Sequence, residues 1–399
     1  MEQMIVRNRA GGGIYECLLL LFLILWSGGG FTYGLFPMWM IVALPVVGAL
    51  FLFRHLRLCL GEIFLIAMIA LVMLLQMIKF HGTLITVIRP ISTVIVCAMS
   101  ARILGKRFPS LFVSIMYWIS LTALSFWLIS QIPSGLSFLR AIASNCPLLG
   151  WDNFEDNTNV VDTLYVFSIP REIDGVMRNS GPFWEPGRFT IFITLALAVN
   201  LFHNRKPLFE KRNAVFIFTN ITTFSTTGYI AMGVLFVSYI CFSKIRLSYK
   251  IILTVVLSIT AVYVSGLDFM SEKLVAQSSD NETWSRFGAM AYHWSQIVES
   301  PVIGYGPYLE KAFTRGLFSS PNGLTDLLRY FGIPLSIYLY VLLYKGTRLY
   351  CGNGSSWIKV SVFIVILLLS FSQTITYSPF FYLLYFFAFN TSSEQCSIK

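Results

Sequence analysis

Residues 60–78 read LGEIFLIAMIALVMLLQMI, residues 83–101 read TLITVIRPISTVIVCAMSA, and residues 108–130 read FPSLFVSIMYWISLTALSFWLIS. Each run has the roughly 20 predominantly apolar residues that a helix needs to cross ~30 Å of hydrocarbon. Between the last two stand Arg102, Lys106 and Arg107. Two apolar runs joined by a short basic hinge are the pattern of a helix pair that turns on the cytoplasmic side of a membrane.

The same pattern recurs at 14–30, 35–53, 183–203, 213–225, 228–243, 250–267, 323–344, 357–373 and 379–391, giving about twelve spans in all. The other basic hinges hold Arg54/Arg57, Arg205/Lys206/Lys211/Arg212, Lys244/Arg246/Lys250 and Lys345/Arg348. With both termini in the cytoplasm, every one of these hinges falls inside, as the positive-inside rule requires. That rule also divides residues 213–243, where Ser225-Thr226-Thr227-Gly228 interrupts the apolar run. One crossing would export the Lys244–Lys250 hinge; two short crossings keep it in. Arms that short leave the tip either below the outer surface, against protein or a wet cavity, or as a plain hairpin turn. The connections 131–182 and 268–322 then face outward as two large loops, and their Trp, Tyr and Phe among charges predict that they are ordered. The expected fold is an all-α polytopic membrane protein, a single integral membrane domain over residues 1–399.

Composition agrees. The chain has 399 residues, 56% hydrophobic and 12% charged, against about 25% charged in a soluble domain. The net charge of +10 sits largely in the hinges, so it signals topology and not a nucleic-acid surface. Seven cysteines are scattered without a CxxC pair, and only Cys146 falls outside, so no disulfide framework is expected. The first run, Leu18 to Trp26, follows Arg7 and Arg9 but lacks a small-residue cleavage site; it reads as a retained span. No P-loop, Gly-rich dinucleotide turn, GxSxG or DxD pair occurs. An ATP-driven pump and a nucleotide-sugar enzyme are thereby disfavoured, and no cofactor or metal is expected.

Several charged residues stand apart from the hinges. Arg178-Asn-Ser-Gly-Pro-Phe-Trp-Glu185-Pro186-Gly187-Arg188 leads into Phe189 to Phe202, an uncharged and largely apolar run. That is too short to span, so the helix is predicted to start near Glu185 with Pro186 in its first position. Glu185 is then a helix cap, or a carboxylate at a cavity rim able to take a proton from a hydroxyl. Residues 283–299 form a predicted amphipathic helix with an apolar stripe of Trp284, Phe287, Ala291, Trp294 and Val298. Arg286 and His293 share its other face, solvated or turned toward a bound anion. Arg89 lies within a span, roughly 9 Å below its outer end at 1.5 Å per residue; it snorkels, pairs with a neighbouring helix, or serves function. Asp326 and Arg329 are spaced for an intrahelical pair. Arg171 precedes the first loop's return to the membrane and is either a phosphate ligand or a solvated charge. The run Asp152 to Asn157 only faintly suggests a calcium loop, and Asn281 and Asn390 open glycosylation sequons of a kind frequent by chance.

Three stretches give the chain a resemblance. They are Arg178 to Arg188; Thr223-Phe-Ser-Thr-Thr-Gly-Tyr-Ile230; and Arg286 followed by Glu299-Ser-Pro-Val-Ile-Gly-Tyr-Gly306 and Asn322-Gly-Leu-Thr-Asp-Leu-Leu-Arg-Tyr-Phe-Gly332. In order, spacing and sidedness they resemble the bacterial O-antigen and capsular polysaccharide polymerase family, which is related to the O-antigen ligases. The resemblance implies a membrane glycosyltransferase C-like helical bundle with its active site at the outer surface of the bacterial inner membrane. It implies undecaprenyl-pyrophosphate-linked oligosaccharides as substrates and needs no nucleotide sugar. A chain-length regulator and a flippase are the protein partners it implies, alongside membrane lipid. The ligases typically carry His-Asn before the late helix, where this chain has Ser320-Pro321-Asn322, which favours polymerase over ligase.

In that chemistry charge develops on a leaving pyrophosphate and must be stabilised. Arg89, Arg171, Arg178 and Arg188 are the expected pyrophosphate ligands, with Arg286 at the catalytic centre. Glu185 is the first candidate base and His293 the second. Loop aromatics either stack on sugars or anchor at the interface. The rival expectations are an O-antigen ligase and a lipid-linked oligosaccharide flippase or other secondary transporter.

Overall fold

The computed structural model describes residues 2–30, 36–146, 162–169, 177–243, 246–265, 286–308, 322–352 and 355–390. Among these residues the architecture is all-helical, without strands. The first half holds α1 (Glu2–Trp26), α2 (Phe36–Phe53), α3 (Leu60–Lys79), α4 (Leu84–Leu104), α5 (Phe108–Ser130) and α6 (Pro133–Ala143). Then follow α7 (Pro186–Phe202), α8 (Lys211–Thr222), α9 (Thr226–Phe242), α10 (Leu247–Ser265) and α11 (Arg286–Glu299). The last are α12 (Gly323–Phe331), α13 (Ile333–Cys351), α14 (Ser356–Phe371) and α15 (Pro379–Phe386).

The centre of the bundle is α7. Its apolar residues run all round the helix, and such a helix is stable only when enclosed. It is buried at every position except Arg188, inside a ring of α5, α8, α9, α13 and α14. A second group packs α4 against α2, α3 and α15. Phe380 of α15 joins the two groups, its ring centroid 4.9 Å from Phe192 of α7 and 5.3 Å from Phe112 of α5.

Among the described residues, two helical stretches, Leu60–Lys79 and Leu84–Ser130, are long and apolar enough to cross a membrane, and a third is if α13 and α14, bent 119° apart, form one broken span. Shorter apolar stretches of 10–17 residues are Gly13–Trp26, Val42–Phe53, Pro186–Phe202, Thr226–Phe242 and Pro379–Phe389. At 1.5 Å per residue the 47 residues of Leu84–Ser130 would measure ~70 Å, over twice the hydrocarbon thickness. They divide at Gly105, whose φ of +44° no helix takes, beside Lys106 and Arg107. Phe64 (54% exposed), Leu71 (53%) and Ile78 (67%) line one outward face of α3. Large apolar side chains turned outward in a row are compatible with a membrane protein.

Four of the basic hinges gather at one end. Arg54 and Arg107 both bind the buried Glu16 carboxylate, and Arg102 binds buried Glu62 through both carboxylate oxygens. Arg212 reaches Ser114 and the Tyr117 ring on α5, and Tyr350, just past Arg348, packs on Phe108. The expected helix starts also hold: α7 begins at Pro186 with Glu185 as its N-cap residue, and α8 and α9 separate at the Ser225 N-cap.

Other expectations are corrected. The span expected at 323–344 breaks at Gly332, which takes φ +77°; Pro334 follows and cannot donate a helical N–H. The span expected at 379–391 is an eight-residue helix with a short 3₁₀ turn, buried throughout its α-helical part. On the helix expected at 283–299 the stripe residues Ala291, Trp294 and Val298 face outward, while His293, expected to be solvated or turned toward an anion, is buried together with Gln296. Helix α6, within the first expected loop, was not legible in the sequence. Arg171, the Asp152–Asn157 run, Trp151, Trp284, Asn281 and residues 391–399 lie outside the described residues.

Candidate functional site

At the end opposite the basic hinges, the loop before α7 is fixed from several sides. Trp127 Nε1 donates to the Met177 carbonyl (2.8 Å). The Asn179 backbone N–H donates to the Thr222 carbonyl (2.9 Å) and its side chain to Thr222 Oγ1 (3.0 Å). The Trp184 N–H donates to the Gly28 carbonyl at the end of α1. This bracing holds Arg178 and Glu185 at the mouth of the central helix.

Glu185 has the extended backbone of an N-cap residue, but its side chain makes no capping hydrogen bond. Its Oε1 instead accepts from Gln373 Nε2 at 2.9 Å. Of the two expected roles for this carboxylate, the geometry disfavours the cap. Arg178 donates through Nε to the Thr223 carbonyl (3.0 Å), and the residue as a whole is partly buried. Burial pulls its pKa down from the usual value, opposed by the charge of Glu185 and by Tyr229. An arginine remains a cation through such a shift.

The Ser/Thr/Gly tip packs directly on this loop. Thr190, one turn into α7, is bonded to Asn220 and stands 3.5 Å from Thr223 Oγ1. Gly228 is required there, because a Cβ would overlap the Thr190 hydroxyl. The Ser225 side chain caps α9 by accepting from the Gly228 N–H.

The third stretch arrives through the connection between α14 and α15. Thr376 Oγ1 donates to the Gly323 carbonyl (3.1 Å), and the Tyr377 ring stacks on Tyr330 at 4.6 Å. Within α12, Asp326 and Arg329 form the expected intrahelical pair. The pair is buried, and Arg329 Nη1 also donates to Gln296 of α11. His293 Nδ1 lies 2.7 Å from Thr325 Oγ1; the residue is 0% exposed, and among the described residues its Nε2 has no hydrogen-bond partner. Burial and the Arg329 cation, against a smaller opposing effect of Asp326, lower its pKa to about 4. His293 is therefore neutral near pH 7 and does not meet an anion as a cation. The Gly304 and Gly332 backbones, both at positive φ, approach too closely for any Cβ, which seats the 300–306 turn against the α12–α13 break.

The remaining expected residues separate. Arg188 donates to the Ser27 carbonyl (3.0 Å) and the Thr374 carbonyl (2.8 Å) and lies over the Trp184 ring. It straps α1 and the 372–378 connection to α7. Arg89 is exposed on α4, on the helix whose Thr86 is bonded to Tyr308. Arg286 opens α11, and its side chain lies outside the described residues, as does Arg171. Sequence reasoning missed Gln373, the direct partner of Glu185. Its only signal was a polar Ser372-Gln373-Thr374 between two apolar runs.

No protein-family model matches the chain, no curated protein matches it, and no solved structure matches it.

Proposed function

We propose that this chain is a membrane-bound polysaccharide polymerase that joins undecaprenyl-pyrophosphate-linked oligosaccharide repeat units at the outer face of the bacterial inner membrane. In this proposal the chain passes the membrane about twelve times, counting its shorter helices, with both termini in the cytoplasm and residues 131–182 and 268–322 outside. One observation carries it. Three stretches far apart in sequence, around Glu185, Ser225 and Asn322, meet at the end away from the basic hinges, with the Glu185 carboxylate near enough to Arg178 for their charges to interact.

The proposed reaction breaks the anomeric C–O bond between the growing glycan and its lipid pyrophosphate. A hydroxyl oxygen of the incoming lipid-linked unit forms the new bond to that anomeric carbon. Glu185 takes the hydroxyl proton, and the bonding electrons leave with the pyrophosphate. Arg178 faces that developing charge, which suits a guanidinium able to grip two oxygens. Gln373 orients the Glu185 carboxylate. Arg188 acts by position, holding the walls of the site, and neutral His293 braces α11 on α12.

Deletion of the gene in its host, followed by electrophoresis of surface and lipid-linked glycan, tests the proposal. A surface glycan capped at one repeat unit is expected. Long polymer stranded on carrier lipid would instead identify a ligase, and single units held at the inner leaflet a flippase. An unchanged pattern would reject a role in glycan assembly.

A further inference from the structure

A groove of about 260 Å³ runs between α1 and α2. Leu18 (58% exposed) and Val46 (60%) form its rim, and buried Leu19 and Val47 its floor. Tyr15 and Leu50 stand at one end, next to Glu16 and one turn before Arg54. Glu16 is 2% exposed and is held by Arg54 at 2.6 Å and by Arg107 at 3.0 Å. One carboxylate against two guanidiniums leaves one positive charge in excess. Arg107 is the open member, its side chain 51% exposed. An apolar groove that ends at a surplus cation matches a molecule with an apolar chain and an anionic head.

We infer that this groove seats an anionic phospholipid of the inner leaflet, with an acyl chain along Leu18 and Val46 and its phosphate at Arg107. The charge decides against a zwitterionic lipid, because each basic residue near an anionic headgroup contributes about 1 kcal/mol. Position decides against a polyprenyl pyrophosphate, because the surplus cation lies at the end of the bundle opposite Arg178. The leaflet and the exclusion of a polyprenyl pyrophosphate rest on the orientation and site proposed above; the preference for an anionic head does not.

The test uses the full-length protein, purified in mild detergent, stripped of lipid and titrated with phosphatidylglycerol or phosphatidylethanolamine under native mass spectrometry. Phosphatidylglycerol is expected to be held about fivefold more strongly, as one tightly bound equivalent. Arg107→Gln is expected to abolish that preference, and Val46→Trp, which fills the groove, to weaken both lipids. Val46 is exposed, so Val46→Trp keeps the test decisive if Arg107→Gln fails to fold. Equal retention of the two lipids, or a Val46→Trp protein that binds as wild type does, overturns the inference. So does a copurifying polyprenyl pyrophosphate that Val46→Trp displaces, since the groove would then hold the donor's tail.

Discussion

The carboxylate of Glu185 and the guanidinium of Arg188 are three residues apart, yet the structure gives them different work. Glu185 is bonded to one neutral amide and in the proposed reaction takes a proton, whereas Arg188 is bonded to two carbonyls and lies over a ring. Glu185→Gln is therefore expected to preserve folding while lowering polymerisation by about 100-fold or more, in the range of a lost general base. Arg188→Ala is expected to lower the thermal stability of the purified protein, since hydrogen bonds from a charged group contribute about 1.5–3 kcal/mol each. Measuring protein amount and glycan length for both variants separates the two roles. His293 supplies a pH prediction. Its pKa of about 4 in the fold lies below the ~6.5 of an unfolded chain, so the unfolded chain binds the extra proton between those values. The stability His293 contributes is complete above pH 6.5 and is lost as the pH falls toward 4, about 3 kcal/mol in all. The facing charges, Asp326 and Arg329, form a pair that stays in place in the variant. Comparing unfolding of wild type and His293→Gln from pH 7 to 4 is expected to show the steeper loss in wild type; parallel curves would contradict it.

Among the elements, α7 was the most legible and α11 the least. A 14-residue apolar run too short to cross, preceded by Glu-Pro-Gly, placed the start of α7 at Pro186. For α11 the periodicity gave a helix but not the direction of its stripe. Periodicity reports that a helix has two faces; it does not report which face meets an apolar surrounding, and here the polar face packs inward on Thr325 and Arg329. The break at Gly332 was written in Gly-Ile-Pro but masked by the apolar residues around it. Gln373 was illegible for a different reason: its partner lies 188 residues away, and only the fold brings them together. The α7–α9 contact carries its own prediction. Gly228→Val would force the start of α9 off Thr190, at an overpacking cost of about 1–3 kcal/mol. Reduced thermal stability together with weakened polymerisation is expected, and an unaltered protein would show that the two helices need not touch.

In the molecule as a whole, two kinds of polar group are sorted to opposite ends. The buried carboxylates Glu16 and Glu62, each paired with arginines from other helices, lock the end that holds the basic hinges. Removing one member of a buried pair leaves the other uncompensated, so Glu62→Ala is expected to destabilise the fold by about 3 kcal/mol, read as a lower melting temperature in detergent. The other end gathers Arg178 and Glu185, whose charges interact, at the mouth of an enclosed helix. The hinge arginines announced this polarity in the sequence, whereas the Glu16 and Glu62 pairings emerge only once helices pack. The most direct measurement is reconstitution of the purified protein in vesicles with undecaprenyl-pyrophosphate-linked repeat units, followed by sizing of the glycan on a gel. A ladder of increasing repeat number from wild type, reduced to single units by Glu185→Gln, is the predicted result; no ladder from folded wild type, or an equal ladder from Glu185→Gln, would contradict the account.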